Sequence, residues 1–252
     1  MPNIKTKGIV VARRDFSESD RLIWIFTEDF GLVQALARGA RKILARLNGH
    51  LELANLAKFH FYKGKTFYTI IDAQVINNFS KVKNDLKNAS LIYHFLELVK
   101  IFLPLGEKHP AVLGHLSDSI EILGRQNHSV AKIFFELQFV SELGFKPEMH
   151  ECVICQKRLA LGKNFFSFLQ GGILCSDCSV ADKSSFGVSD NCIKLIRWIA
   201  IENISTLKKL ENIPDNLIQE TDRILEGYLE FLAERKLVGQ DFVKKVKRLS
   251  DG

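Results

Sequence analysis

Two pairs of cysteines hold the clearest chemistry in this chain. Cys152 and Cys155 are two residues apart, as are Cys175 and Cys178, and nineteen residues lie between the pairs. Each Cys-x2-Cys step puts two sulfurs on one tight turn, and two such turns surround a tetrahedral ion with four thiolates at roughly 2.3 Å. Four protein ligands leave no position for water or substrate. The spacing therefore predicts a structural zinc ion, which contributes on the order of 10 kcal/mol to local folding. Two disulfides, or four unrelated buried thiols, would not account for both pair spacings. The fifth cysteine, Cys192, precedes Ile193, Leu195 and Ile196 in an apolar stretch and reads as a small core residue.

Other reactive residues do not assemble into a catalytic pattern. Gly64-Lys65-Thr66 resembles the end of a phosphate-binding loop, but that motif needs Gly where Phe59 stands. Asp15, Glu18 and Asp20 could hold two hard cations in a metal-dependent nuclease. They sit among Arg13, Arg14 and Arg21, where local ion pairing is the simpler reading. The seven histidines show neither HExxH spacing nor the signature of a zinc deaminase. The expectation is a binding protein, not an enzyme.

Charge points to what is bound. Residues 1–80 carry 12 Lys/Arg against 7 Asp/Glu, which is nearly all of the net +6 of the 252-residue chain. Concentrated positive charge is the electrostatic footprint of a polyanion, nucleic acid above all. The candidate contacts are Arg13, Arg14, Arg21, Arg38, Arg41, Lys42 and Arg46. Phe16, Trp24, Phe59, Tyr62 and Tyr68 in the same segment are candidates for base stacking. Most aromatics of a small barrel fill its core, so one or two at most would stack. No run reaches 18 apolar residues, and the N-terminus lacks a signal-peptide apolar region. A cytoplasmic location with reduced thiols fits both observations.

These residues need elements to position them. Gly8-Ile-Val-Val-Ala12, Leu22-Ile-Trp-Ile-Phe26 and Leu32-Val-Gln-Ala-Leu36 are short strand-like runs. Two more flank Lys63-Gly-Lys65, and a basic connection from Arg38 to Arg46 follows the third. Five short strands with a long link after the third suit a barrel of the OB type, and an SH3-like barrel nearly as well. From Leu86 to Val99 apolar residues recur at helical spacing, up to Pro104. Further helices are expected from Pro110 to about Leu123, from Val130 to Leu143 with Gly144 closing, from a Ser189 cap through Trp198, and from Asp222 to Lys236 before Gly239. Between the cysteine pairs, 165–168 and 171–174 read as a β-hairpin. The tail Lys244-Lys-Val-Lys-Arg248 is basic. The fold class is α+β. A five-stranded barrel spans 1–79, and a helical domain spans 80–252 with the zinc insertion at 148–182.

In the order of its segments the chain resembles the RecO family of bacterial DNA-repair proteins. The resemblance rests on Gly8-Ile-Val-Val, Arg13-Arg-Asp-Phe-Ser-Glu-Ser-Asp-Arg21, Phe26-Thr-Glu-Asp-Phe-Gly31 and Ala37-Arg-Gly-Ala-Arg-Lys42 in the first part. Further on it rests on Gly106-Glu-Lys-His-Pro110, Glu136-Leu-Gln, Leu143-Gly-Phe-Lys-Pro147 and Gly171-Gly-Ile-Leu-Cys175. The resemblance implies an N-terminal OB-fold barrel, a helical C-terminal domain and a four-cysteine zinc site at Cys152, Cys155, Cys175 and Cys178. It also implies a recombination mediator of the RecFOR pathway. Such a protein binds single- and double-stranded DNA, pairs with RecR, binds the C-terminal tail of the single-strand binding protein, anneals complementary strands and helps load RecA. Arg38, Arg41 and Lys42 match the family's basic stretch. The residues alone also allow a zinc-stabilised module that recruits an acidic protein.

Overall fold

The computed structural model describes residues 3–42, 47–125, 127–202, 204–207 and 213–250. The chain forms two compact units, Met1–Ile120 with Asp241–Gly252, and Glu121–Gln240.

The first unit is built on five strands, β1 (Asn3–Asp15), β2 (Arg21–Thr27), β3 (Gly31–Ala37), β4 (Leu56–Lys63) and β5 (Tyr68–Asn77). They form a barrel in the order β1-β2-β3-β5-β4, with β4 pairing back onto β1. This is the five-stranded barrel expected from the sequence. The β3–β5 pair, Ala35↔Tyr68 and Leu36↔Thr69, is parallel, and the other pairs are antiparallel. β1 is longer than its Gly8–Ala12 signal because it serves two partners. Its first half pairs with β4 and its second half with β2. A register shift between Val10 and Ala12 lets the strand bend from one to the other.

Val10, Ile23, Ile25, Val33, Phe59, Phe61 and Ile70 fill the barrel. Leu22 and Phe26, which alternate with Ile23 and Ile25, are buried as well. That explains the unbroken apolar run of β2, which is covered on both faces. On the outside, α2 (Leu86–Phe102) packs against β1, and its Lys100 ammonium lies 5.1 Å from the centre of the Trp24 ring. The Arg14 guanidinium lies 5.8 Å from the same ring, so two cations approach Trp24.

Short helix α1 (Ser80–Lys83) precedes α2, whose N-cap Asp85 accepts from the Asn88 N–H at 2.8 Å. The connection after α2 docks on the barrel, with the Gly106 N–H donating to the Leu32 carbonyl at 2.9 Å. Gly31 has φ +63°, and a Cβ there would lie 1.8 Å from the Glu107 carbonyl oxygen, so only glycine fits. α3 (Pro110–Leu123) starts at its proline, as expected.

The second unit contains α4 (His128–Glu142), a three-stranded sheet, and helices α5 (Asp190–Ile201), α6 (Ile204–Leu207) and α7 (Asp215–Ala233). Strands β6 (Asn164–Ser167) and β7 (Gly172–Cys175) are the expected hairpin. β8 (Phe186–Val188) adds a third strand on β6. Its three residues are too few to show alternation in the sequence. Ser189 caps α5, accepting from the Cys192 N–H at 3.2 Å, and Trp198 lies within that helix. Cys192 is fully buried, as expected, and burial pushes its thiol up to about 12. The sheet seats on α7, where the Phe168 ring lies 2.4 Å from the place a Cβ on Gly227 would occupy.

Two boundaries differ from the sequence reading. α7 begins at Asp215, directly after Pro214, not at Asp222. The basic tail is helical, as α8 (Val238–Ser250), and Gly239 lies inside that helix instead of ending the previous one. The turn between them is made by Glu234, a non-glycine residue at φ +53°. Among the described residues no helix is long and apolar enough to cross a membrane.

α4 and α7 are locked by a buried charge. Lys132, 4% exposed, donates to Asp222 at 2.8 Å and Glu226 at 2.9 Å, with Glu136 at 3.8 Å. Desolvation pulls the ammonium pKa down, but the three carboxylates outweigh it and the pKa is raised. Removing one member of such a set strands the others without their counter-charge. Lys132→Met is expected to destabilise the protein by about 3–5 kcal/mol, read as a lower urea midpoint. A midpoint equal to the wild type would refute the role assigned to this lysine.

Candidate metal centre and basic surface

The backbone around the cysteines is shaped before any ion is considered. Residues 148–153 run beside β7, with the Ile173 N–H donating to Glu148 O at 2.9 Å and the Val153 N–H to Ile173 O at 3.0 Å. This approach is so close that a Cβ on Gly172 would lie 2.6 Å from Glu148 O, and Gly171 turns the chain at φ +68°. The first cysteine turn closes where the Gln156 N–H donates to Cys152 O at 2.8 Å and the Cys152 N–H to Lys157 O at 2.9 Å. Arg197 of α5 holds its base by donating Nε to the Met149 carbonyl at 2.7 Å.

The second cysteine turn leaves the end of β7, where the Cys178 N–H donates to Cys175 O at 3.2 Å. Asp182 anchors it by accepting from Ser167 of β6 and from the Ser184 N–H and hydroxyl at 2.9 and 2.6 Å. These bonds, Ser167 first, hold its carboxyl below the ordinary range. The sequence reading made Asp182 only the end of the insertion. Its role is legible solely from the fold.

The result is one cluster. The sulfurs of Cys152, Cys155, Cys175 and Cys178 all lie within 4.8 Å of one another. Cys155 and Cys175 are 3.9 Å apart, far beyond a disulfide bond of ~2.05 Å. Four sulfurs ~2.3 Å from a common centre would be about 3.8 Å apart, so the donor set fits a tetrahedral metal ion. The protonation pattern is uneven. Against the desolvation of its burial, the backbone N–H groups of Cys155, Cys175 and Ile154 bring the Cys152 thiol down to about 6. Cys178 is pushed up to about 12, first by hydrogen bonding to Cys175, then by burial and its other sulfur neighbours. Such a set shares protons when empty and loses them to a cation.

Among the described residues the basic candidates gather at one end of the barrel, except Arg14. β1 and β2 place Asp15 opposite Arg21, whose Nε donates to Asp15 at 3.1 Å and whose Nη1 donates to Asn48 at 3.0 Å. Arg41 approaches the same carboxylate at 3.5 Å and donates to the Ser17 carbonyl at 2.8 Å. Asp20 accepts from the Gly39 N–H at 2.8 Å, which with the desolvation, serine and Arg38 effects leaves its carboxyl below the usual value. That bond fixes the turn carrying Arg38 and Lys42, both exposed. Arg13 pairs with Glu52 at 2.6 Å. Arg14, pointing the other way along β1, joins Trp24 instead. Arg46 lies outside the described residues.

The acids Asp15 and Asp20 thus serve the arginines and the turn. Among the described residues the cysteine cluster is the only group of three or more His, Cys, Asp or Glu placed to hold a metal ion. Of the aromatics, Phe59 is 1% exposed and stacked on Phe61, and Tyr68 packs on Phe61 and Phe30, so both belong to the barrel interior. Phe16 is 48% exposed and meets Phe67 edge-on at 5.8 Å. This contact joins the β1–β2 loop to the β4–β5 loop, the two loops with which OB barrels hold oligonucleotides. Exposed Lys63 and Lys65 flank the second loop and were not singled out from the sequence. Their signal was the Lys-Gly-Lys hairpin itself. The β2 face is closed by burial of Leu22 and Phe26, so the barrel presents its basic end instead.

The sequence is similar to those of known proteins. The sequence model of Recombination protein O N terminal matches residues 1–79, and that of Recombination protein O C terminal matches residues 83–240. The chain is 30% identical over 236 residues to DNA repair protein RecO of Dehalococcoides mccartyi, covering 93% of this chain and 92% of that protein. It is 28% identical over 251 residues to the RecO of Acetivibrio thermocellus, covering 99% of each. With the RecO of Caldicellulosiruptor saccharolyticus the identity is 30% over 249 residues, 98% of this chain and 100% of the other.

The thiol pattern sets a measurable sign. Near neutral pH Cys178 is protonated, so titrating the metal-free protein with zinc as probe ion is expected to release at least one proton, and affinity should rise with pH. Calorimetry in two buffers of different ionisation enthalpy reads the proton count. A count of zero would contradict the assignment.

Proposed function

The chain belongs to the Recombination protein O family of DNA repair and recombination proteins, and from that membership we propose that it acts as a non-enzymatic mediator of recombination. In this reading residues 1–79 bind single- and double-stranded DNA, and the barrel and the helical region 80–252 receive protein partners. The observation that carries it is the gathering of Arg13, Arg21, Arg38, Arg41 and Lys42 at one end of the barrel, beside the two joined loops. Arginine and lysine contacts to phosphate grip a strand without reading its sequence. Exposed Phe16 adds a face on which one base can stack.

Annealing follows from the same physics. Two strands held close with their charge neutralised pair by themselves, so no bond is made or broken and no nucleotide is hydrolysed. Zinc is the ion that four cysteine thiolates in a tetrahedron suit best, and its place is to hold the inserted sheet in shape. RecR, the C-terminal tail of the single-strand binding protein and, indirectly, RecA are the partners this reading assigns, in the bacterial cytoplasm at the nucleoid.

The purified protein is expected to bind oligonucleotides with a steep salt dependence and to speed annealing without ATP. Arg38→Ala/Arg41→Ala should weaken binding about tenfold or more at moderate salt and flatten the salt slope by about 1–2. Fluorescence anisotropy across a salt series reads both quantities. Affinity that does not change between low and moderate salt would exclude phosphate contacts and favour the acidic-protein alternative.

A further inference from the structure

The two compact units differ sharply in charge. Met1–Ile120 with Asp241–Gly252 carries 21 Lys/Arg against 13 Asp/Glu, whereas Glu121–Gln240 carries 14 against 16. Part of the difference comes from the end of the chain. Residues 241–250 of α8 hold Lys244, Lys245, Lys247 and Arg248 against the single acid Asp241, and all four cations are exposed. Three and four apart on one helix, like charges repel, so this face is held at some cost to helix stability. It also lies beyond residues 83–240, which the family model matches.

α8 is docked within the barrel's own unit. Phe242 meets Tyr93 of α2 edge-on at 6.1 Å, and Val246, four residues on, is 2% exposed. Phe242 and Tyr93 also line an open cleft of ≈ 530 Å³. Arg13, Glu52 and Lys83 line it too. Lys83 donates to the Leu53 carbonyl and to Asn55 Oδ1, both at 2.9 Å and both uncharged. Arg13 pairs with Glu52. Two cations in the cleft are therefore balanced by one carboxylate. Desolvation and the neighbouring Arg13 keep the Lys83 pKa below its ordinary value, against the pull of Glu52. A bound anion would relieve that.

We infer that a single nucleic-acid strand leaving the basic end of the barrel passes Arg13, runs through this cleft and lays its phosphates on the basic face of α8. Arg13 belongs to both surfaces and makes them continuous. The partly exposed rings of Tyr93 and Phe242 favour unpaired bases over a duplex, whose bases are already stacked. The inference rests on the DNA-binding reading above and extends the site beyond residues 1–79.

The test uses the full chain and a fluorescein-labelled single strand of about 30 nucleotides, longer than the ~4–16 held by one OB barrel. Lys244→Gln/Lys245→Gln/Lys247→Gln/Arg248→Gln is expected to raise Kd about tenfold at moderate salt and flatten the salt slope by about 2–3. Lys83→Gln should weaken binding severalfold. The circular dichroism spectrum checks folding, and if the fourfold variant does not fold, Lys247→Gln/Arg248→Gln takes its place with about half the slope change. Wild-type affinity and slope in a folded variant would overturn the inference, while loss in Arg38→Ala/Arg41→Ala alone would leave the DNA-binding reading standing. No binding by the wild type would sink both. An oligo-glutamate peptide that binds as tightly as DNA, and is lost alone in the α8 variant, would assign the face to an acidic protein and overturn the inference.

Discussion

A carboxylate shared by two guanidinium groups sets the shape of the barrel's basic end. Asp15 closes β1 against Arg21 at the start of β2 and also reaches Arg41 in the connection after β3. Asp20 then takes the Gly39 amide and fixes the turn between them. Cations drawn from distant parts of the sequence repel when gathered, and here acids between them hold the arrangement. Each such pair contributes little alone at an exposed site. Their joint effect is positional, because they determine where the exposed charges of Arg38 and Lys42 point.

Burial decides which part of the barrel is left for a ligand. The β2 face that many OB barrels offer is largely buried in this protein, with Leu22 and Phe26 in the core. The loops and the connection remain. In the other unit a small inserted sheet is anchored by the buried carboxylate of Asp182, beside a cluster of four sulfurs placed to hold a metal ion. Its strands are only three and four residues long, and Phe166, Ile173, Leu174 and Val188 are its buried apolar residues. The serine bonds to Asp182 and the seat of Phe168 against Gly227 tie the sheet to its surroundings.

Much of this was legible in the sequence where the signal is local. The two Cys-x2-Cys steps, the apolar strand-like runs of β2 and β3, the proline opening α3 and the serine capping α5 each act within a few residues, and the structure has them. What escaped depends on contacts between distant residues. β8 exists because β6 offers it an edge. The Phe16–Phe67 contact joins loops about fifty residues apart in the sequence. Phe59 resembled a stacking candidate and belongs to the core, because only the register of β4 reveals which face it lines. The basic tail from Lys244 to Arg248 was visible in the sequence, but its place in the fold was not. Only the packing of Phe242 on Tyr93 assigns it to the barrel's unit.

The chain has two tryptophans, and the fold gives one to each unit. Trp24 sits on the barrel near the Arg14 and Lys100 side chains, and Trp198 lies in α5. An indole beside two positive charges has an emission colour set by their field, and moving either cation shifts it. Each half of the molecule thus carries its own optical probe. With Trp198 replaced by phenylalanine, the remaining signal reports on the barrel alone, without any label attached.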